Sequence, residues 1–279
     1  MMIQTLAGSK GTVEGPLYFG PAAARLFGIH DAPQTDEGRE GSVVLCYPHG
    51  RDYVSAFRAY RTLALRLARA GFHVLRFDYR GTGDSAGDIG DASLQQWMDD
   101  IVAAVDEVRG AVGHSSVSLV GLRLGATLAA MAASACRDVD RLVLWEPVVK
   151  GDEYVATLRA RHREWFQAVA RRLARMRPLA TEDELLGYRF TQTLRNDLQR
   201  VDLSSLAVRP ARHVLIIDQH DDAEHARLAQ RLEGLGASVG VRRVAGPQIW
   251  STIPGMDQGL VPNRVLQAIV DWLGSPGRD

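Results

Sequence analysis

SVSLVGLRLGATLAA, residues 116–130, passes from a β-type segment into an alanine-rich one through Gly121-Leu122-Arg123-Leu124-Gly125. Residues 116–120 (SVSLV) read as a strand, and from about residue 124 the alanines read as a helix. Glycines flanking such a junction let a strand turn sharply into a helix and lift the middle residue above the sheet. Ligands of open α/β sheets bind at that end of the strands. The middle residue here is Arg123.

Working outward, β-type runs alternate with helical patterns, the rhythm of a mostly parallel eight-stranded sheet with helices on both faces. Residues 17–20 (LYFG) and 24–29 (ARLFGI) read as an opening antiparallel pair. The near-continuous apolar run 42–47 (SVVLCY) suits a strand covered on both faces. Further strands are expected at 72–78, 140–145, 212–217 and 239–244, and helices near 55–70, 93–110, 222–235 and 263–273. Between 151 and 206 the character changes. GDEYVATLRARHREWFQAVARRLARMRP is an arginine-rich amphipathic helix, and TEDELLGYRFTQTLRNDLQRV reads as a second helical stretch. The expected organisation is a core of 1–150 and 207–279, with 151–206 inserted as a helical cap over the C-terminal edge of the sheet. The cap arginines read as a solvated face.

Of 279 residues, 46% are hydrophobic and 24% charged, the composition of a globular protein with a full core. Lysine plus arginine and aspartate plus glutamate balance at 33 each, which argues against a nucleic-acid or acidic-membrane partner. Cys46 and Cys136 form no C-x-x-C pair and lie in apolar stretches, as buried reduced thiols do. No signal-peptide core or membrane-spanning run is visible, so a cytoplasmic location is expected. No G-x-G-x-x-G follows the first strand, and no G-x-x-x-x-G-K-[ST] occurs, so no nucleotide or other cofactor is expected. The eight histidines show no H-x-x-x-H or H-E-x-x-H spacing, so no metal site is expected either. Oligomeric state is not legible.

Four landmarks then fall in order: Cys46-Tyr47-Pro48-His49-Gly50 after the third strand, FDYRGTGDS (77–85) after the fourth, the 121–125 turn after the fifth, and Asp218-Gln219-His220-Asp221-Asp222 after the seventh. Together they resemble the α/β-hydrolase superfamily over nearly the whole chain. GPLYFGPAAARLFGIHDAP, GLRLGATLA and LWEPVVKGDEYVATLR further resemble the bacterial hydrolase-like proteins associated with the exosortase system. The resemblance implies a serine nucleophile at the turn, a histidine base after the last strand, an acid after the seventh, and an oxyanion pocket of two backbone N–H groups.

Against that pattern, two positions fail. Arg123 occupies the nucleophile position, and a guanidinium cannot attack a carbonyl. Ser116 and Ser118 precede the turn and are not placed to substitute. AGPQIWSTIPGMDQGLVPNRVLQAIVDWL (245–273) contains no histidine; Asp257 or Gln258 stands at the expected base position. The acid corresponds to Asp221 or Asp222, with spacing favouring Asp222. What the resemblance leaves intact is the anion-binding half: the Leu124 N–H, an N–H near Gly50 or Arg51, and the positive end of the following helix.

Arg123 can therefore receive a carboxylate or phosphate bidentately, or pair with Asp221, Asp222 or Asp257 and plug the pocket. His49 beside the oxyanion turn could reach a ligand, although such a histidine ordinarily shapes its loop. His220 could supply a base from the other side, although it reads as a surface residue. Asp78, Arg80 and Asp84 are expected to hold one another. Tyr154, Trp165, Phe166, Tyr188 and Phe190 could line a cavity above Arg123 or pack as the cap's own core. The function expected is a catalytically inactive accessory protein that binds a small anionic or acyl ligand. Two alternatives stay open: an enzyme using Arg123 and the oxyanion pocket without serine, and a hydrolase with a relocated triad.

Overall fold

The computed structural model describes residues 15–35, 41–113, 116–136, 138–172, 183–250 and 260–275. Its eight-stranded sheet contains β1 (Gly15–Phe19), β2 (Leu26–Asp31), β3 (Ser42–Cys46), β4 (His73–Phe77), β5 (Val117–Leu122), β6 (Val139–Trp145), β9 (His213–Asp218) and β10 (Ser238–Arg243). The order is β1-β2-β4-β3-β5-β6-β9-β10. Only β1 and β2 run antiparallel, β1 to β2 and β2 to β4; the other strands pair in parallel. Every residue of β3 and of β5 is buried, because helices cover both faces there. At the far edge β10 is mostly exposed and carries Arg242 and Arg243.

The helices are α1 (Arg51–Arg69), α2 (Leu94–Val112), α3 (Leu124–Ala133), α6 (Ala223–Gly234) and α7 (Asn263–Gly274). α1 packs with α7, and α2 packs with α3. α1 begins directly after Gly50, four residues earlier than apolar spacing alone indicates, and its buried Tyr60 donates its hydroxyl to the Cys46 carbonyl at 2.9 Å. α2 opens with a reciprocal Ser93–Gln96 capping box and closes on Gly113 at φ 73°. Every residue of α3 but Met131 is buried, and its alanines let it approach the sheet and α2 closely.

Between β6 and β9 lie α4 (Gly151–Arg172), a two-stranded hairpin of β7 (Glu184–Leu185) and β8 (Tyr188–Arg189), and α5 (Gln192–Gln199). The second helical stretch expected from sequence is thus a hairpin followed by a short helix. Leu186 at φ 56° and Gly187 at φ 86° supply the consecutive positive φ angles of a two-residue hairpin turn, and these end any helix. This segment reaches over the strand ends: His49 Nε2 contacts the Arg189 carbonyl, Tyr154 bonds Asp52, and the Leu94 N–H donates to Asp197. No described helix is long and apolar enough to cross a membrane.

Candidate functional site

The turn from β5 into α3 has the geometry its glycines predict. Arg123 adopts φ 51°, ψ −123°, a conformation that costs a non-glycine residue energy and is held only where its surroundings enforce it. Both glycines are obligatory. A Cβ at Gly121 would lie 2.4 Å from the Ala126 backbone, and one at Gly125 would lie 2.2 Å from the Cys46 carbonyl oxygen. The second contact shows β3 and α3 touching backbone to backbone. Among the described residues no acceptor meets the N–H of Leu124 or of Gly50. Arg51 opens α1 beside them.

The Arg123 side chain is half-buried. Its guanidinium carbon lies 5.6 Å from the centroid of the Tyr154 ring and 5.5 Å from that of Trp250, so two aromatic faces flank it. Nη1 reaches the Glu146 carbonyl oxygen at 3.5 Å, the outer limit of a hydrogen bond, and the buried Nε has no partner among the described residues. No described carboxylate comes within ion-pair distance of it. Its charge still acts on two buried acids. Burial pushes the Asp52 carboxyl up, and Arg123, then Arg161 and the Tyr154 hydroxyl, pull it back. Burial likewise raises Glu146, opposed by the Gln219 N–H, His225 and Arg123 and reinforced by Asp218.

Arg123 opens on a cavity of about 160 Å³ bounded by Val148, Tyr154, Asp222, Glu224 and His225. The acidic rim is already engaged. Lys150 lies 3.4 Å from both Glu153 and Glu224, and the Asp222 carboxylate caps α6 by accepting the Glu224 N–H at 2.9 Å. Asp221 is exposed and ion-paired with Arg243. Neither Asp221 nor Asp222 plugs the Arg123 position, because each carboxylate is held elsewhere; Asp257 and Gln258 lie outside the described residues.

His49 and Gly50 border a different cavity, about 280 Å³, with Tyr47, Tyr53, Phe77, Tyr79 and Tyr188. His49 is buried between Trp97 and Phe190, and burial pushes its pKa down to about 4. The neutral ring therefore donates from Nε2 to the Arg189 carbonyl at 3.0 Å. His220 is exposed and contacts Gln248. Asp78 accepts the Asp84 N–H at 3.2 Å and the Tyr53 hydroxyl at 3.1 Å, whereas Arg80 turns away to pair with Asp100 at 2.5 Å. Of the aromatic residues expected above Arg123, Tyr154 is there. Tyr188 lines the His49 cavity, Phe190 packs on His49, and Trp165 and Phe166 lie against His162.

Sequence reasoning missed Asp52, Arg161 and Trp250. Asp52 is buried in the first turn of α1, accepts the Tyr154 hydroxyl at 3.2 Å and lies 3.9 Å from Arg161. Arg161 donates to the Trp250 carbonyl at 2.7 Å. An aspartate immediately after a His-Gly-Arg turn was the available signal; nothing local marks the other two.

A family model described as serine aminopeptidase, S33, matches residues 39–218, more than half of the chain. The human protein ABHD12B (Homo sapiens) is 33% identical over 113 residues, a stretch covering 39% of this chain and 30% of that protein. The chain thus spans under two thirds of that relative's length. Among solved structures, Est1E from Butyrivibrio proteoclasticus with bound ferulic acid superposes with a TM-score of 0.63 at 15% identity, covering 92% of this chain and 97% of that one. The esterase Pf2001 of Pyrococcus furiosus gives 0.63 at 16% identity, covering 97% and 96%. At such identities the likeness establishes the fold, that of an α/β-hydrolase, and nothing finer.

Proposed function

This chain belongs to the serine aminopeptidase S33 family, and from that footing we propose that it binds a small carboxylate- or acyl-bearing ligand against Arg123 without serine-hydrolase turnover. The observation that carries this reading is the guanidinium at the apex of the turn. It is held between Tyr154 and Trp250, is free of salt bridges to described residues, and faces a cavity whose rim acids have their own partners. A guanidinium presents forked donors to a carboxylate, and flanking aromatic faces restrict the fork to one plane. The unpartnered Leu124 and Gly50 N–H groups and the N-terminus of α3 favour negative charge on the same side of the sheet. In this reading 151–206 is a cap on a core of 1–150 and 207–279, contributing Tyr154 and Arg161 to the site.

Turnover is disfavoured because both proton-transfer partners are missing: position 123 has no hydroxyl, and no histidine follows His225 in the sequence. The test combines fluorophosphonate labelling, p-nitrophenyl ester hydrolysis and thermal shift with a series of short and medium-chain carboxylates. No serine labelling is expected, and at least one carboxylate should raise Tm in the wild type and not in Arg123→Ala. Pocket-serine labelling, or carboxylate stabilisation that survives Arg123→Ala, overturns the reading. A second reading, non-serine catalysis, is favoured by Asp52, a buried carboxyl raised beside a guanidinium. Ester turnover without serine labelling that is lost in both Arg123→Ala and Asp52→Asn would select it.

A further inference from the structure

Beside the Arg123 cavity, three side chains from three elements converge. Glu146 directly follows β6 at φ 47°, Asp218 ends β9, and His225 lies in the first turn of α6. One ligand atom from each lies within 4.8 Å of the others, and all three residues are buried. His225 Nε2 is 3.1 Å from the Pro147 carbonyl oxygen, which can only accept, so this nitrogen carries a proton. Nδ1, the nitrogen that carries a lone pair when only Nε2 is protonated, faces Asp218 Oδ1 at 3.6 Å. Nδ1 is buried and has no hydrogen-bond partner among the described residues.

Two carboxylates and an imidazole lone pair facing one another away from water repel unless positive charge comes between them. The surrounding hydrogen bonds hold each group in that inward orientation. The Gln219 N–H donates to Glu146 Oε1 at 2.5 Å, and the N–H groups of His220 and Asp222 donate to the two Asp218 oxygens at 2.9 Å each. Outer partners of this kind, a carbonyl fixing the far imidazole nitrogen and amides fixing carboxylates, orient the ligands of metal centres.

We propose that Glu146, Asp218 and His225 form a binding site for a divalent transition-metal ion, with Zn²⁺ the representative. Two carboxylate oxygens and one imidazole nitrogen suit zinc and its first-row neighbours, whereas magnesium and calcium prefer oxygen alone. Three protein ligands leave a coordination position for a further group. His225 also borders the cavity that Arg123 opens on, which puts the ion next to the proposed ligand site.

The experiment dialyses the protein against a chelator and titrates it with zinc chloride by calorimetry, with metal content measured independently. One equivalent should bind. Glu146→Gln and His225→Ala should weaken binding about a hundredfold or more, since losing even an outer partner costs 10–100-fold. His220→Ala, at the exposed neighbouring histidine, should bind as the wild type does. Absence of zinc uptake by folded wild type overturns the site, as does equal uptake by the ligand variants. If those variants fail to fold, ¹⁵N histidine spectra of the wild type decide. A shift of His225 Nδ1 on zinc addition supports coordination. A ring that stays protonated on both nitrogens under excess zinc means the imidazolium itself neutralises the carboxylates, and overturns it. None of these readouts depends on Arg123, so this site and the carboxylate reading stand or fall separately.

Discussion

His49 is a neutral histidine buried between two aromatic rings, with Nε2–H donating to a carbonyl of the 151–206 segment. Its pKa is about 4, below the roughly 6.5 of an unfolded histidine. Between those values the unfolded chain takes up a proton that the folded one refuses. The stability from this group is therefore complete at neutral pH and is lost as pH falls from about 6.5 to about 4, by up to about 3 kcal/mol. Below that window both states are protonated and the loss stops growing. Buried carboxyls raised by desolvation, Asp78 and Asp100 among them, act in the opposite sense, so the comparison must be between variants. His49→Gln retains a donor and removes the titration. Urea unfolding at about pH 7 and about pH 4.5 should show a smaller drop in the variant. An equal drop would assign the acid sensitivity elsewhere.

At the scale of elements, the β7–β8 hairpin carries the Arg189 carbonyl that His49 bonds and the Tyr188 ring of the larger cavity. It depends on Gly187 at φ 86°, where any side chain is strained. Gly187→Val should destabilise the hairpin by about 1–2 kcal/mol and speed limited proteolysis at 184–189, with the parallel strands unaffected. The hairpin also marks where sequence reading ran out. Apolar runs and helical spacing located every strand of the large sheet and all the helices packed on it, because most of them bury a face or more and the burial writes itself into the sequence. Glu184–Arg189 is short and buries fully only Leu185, and its Glu184, Leu185 and Leu186 fit a helix equally well. The site shows the same division. Arg123 and the absence of a late histidine were legible, since the glycine turn and chain order fix those positions. Asp52, Trp250 and the Glu146–Asp218–His225 cluster were not, because they meet only through the crossovers that bring β3, β6 and β9 to one edge, and no local spacing encodes that meeting.

Across the whole molecule, a residue of the sheet holds the last turn of α7. Arg141 of β6 donates to the carbonyls of Trp272 at 2.5 Å, Leu273 at 3.3 Å and Ser275 at 2.7 Å, and its guanidinium stacks 5.4 Å from the Trp272 ring centroid. Trp272 and Leu273 lie in the last turn of α7 and Ser275 caps it, so a cation there meets carbonyls at the negative end of the helix. Arg141→Ala should cost about 2 kcal/mol and appear first as faster amide exchange at the end of α7. Uniform exchange loss across the sheet would instead make Arg141 part of the global core. The opposite consequence follows at the free margin of the sheet. Among the described residues β10 pairs with β9 alone, and its exposed end carries Arg242 and Arg243, the latter ion-paired with Asp221. Charged side chains on an edge strand disfavour pairing with the edge of a second copy. β10 thus carries the features of a strand that ends a sheet.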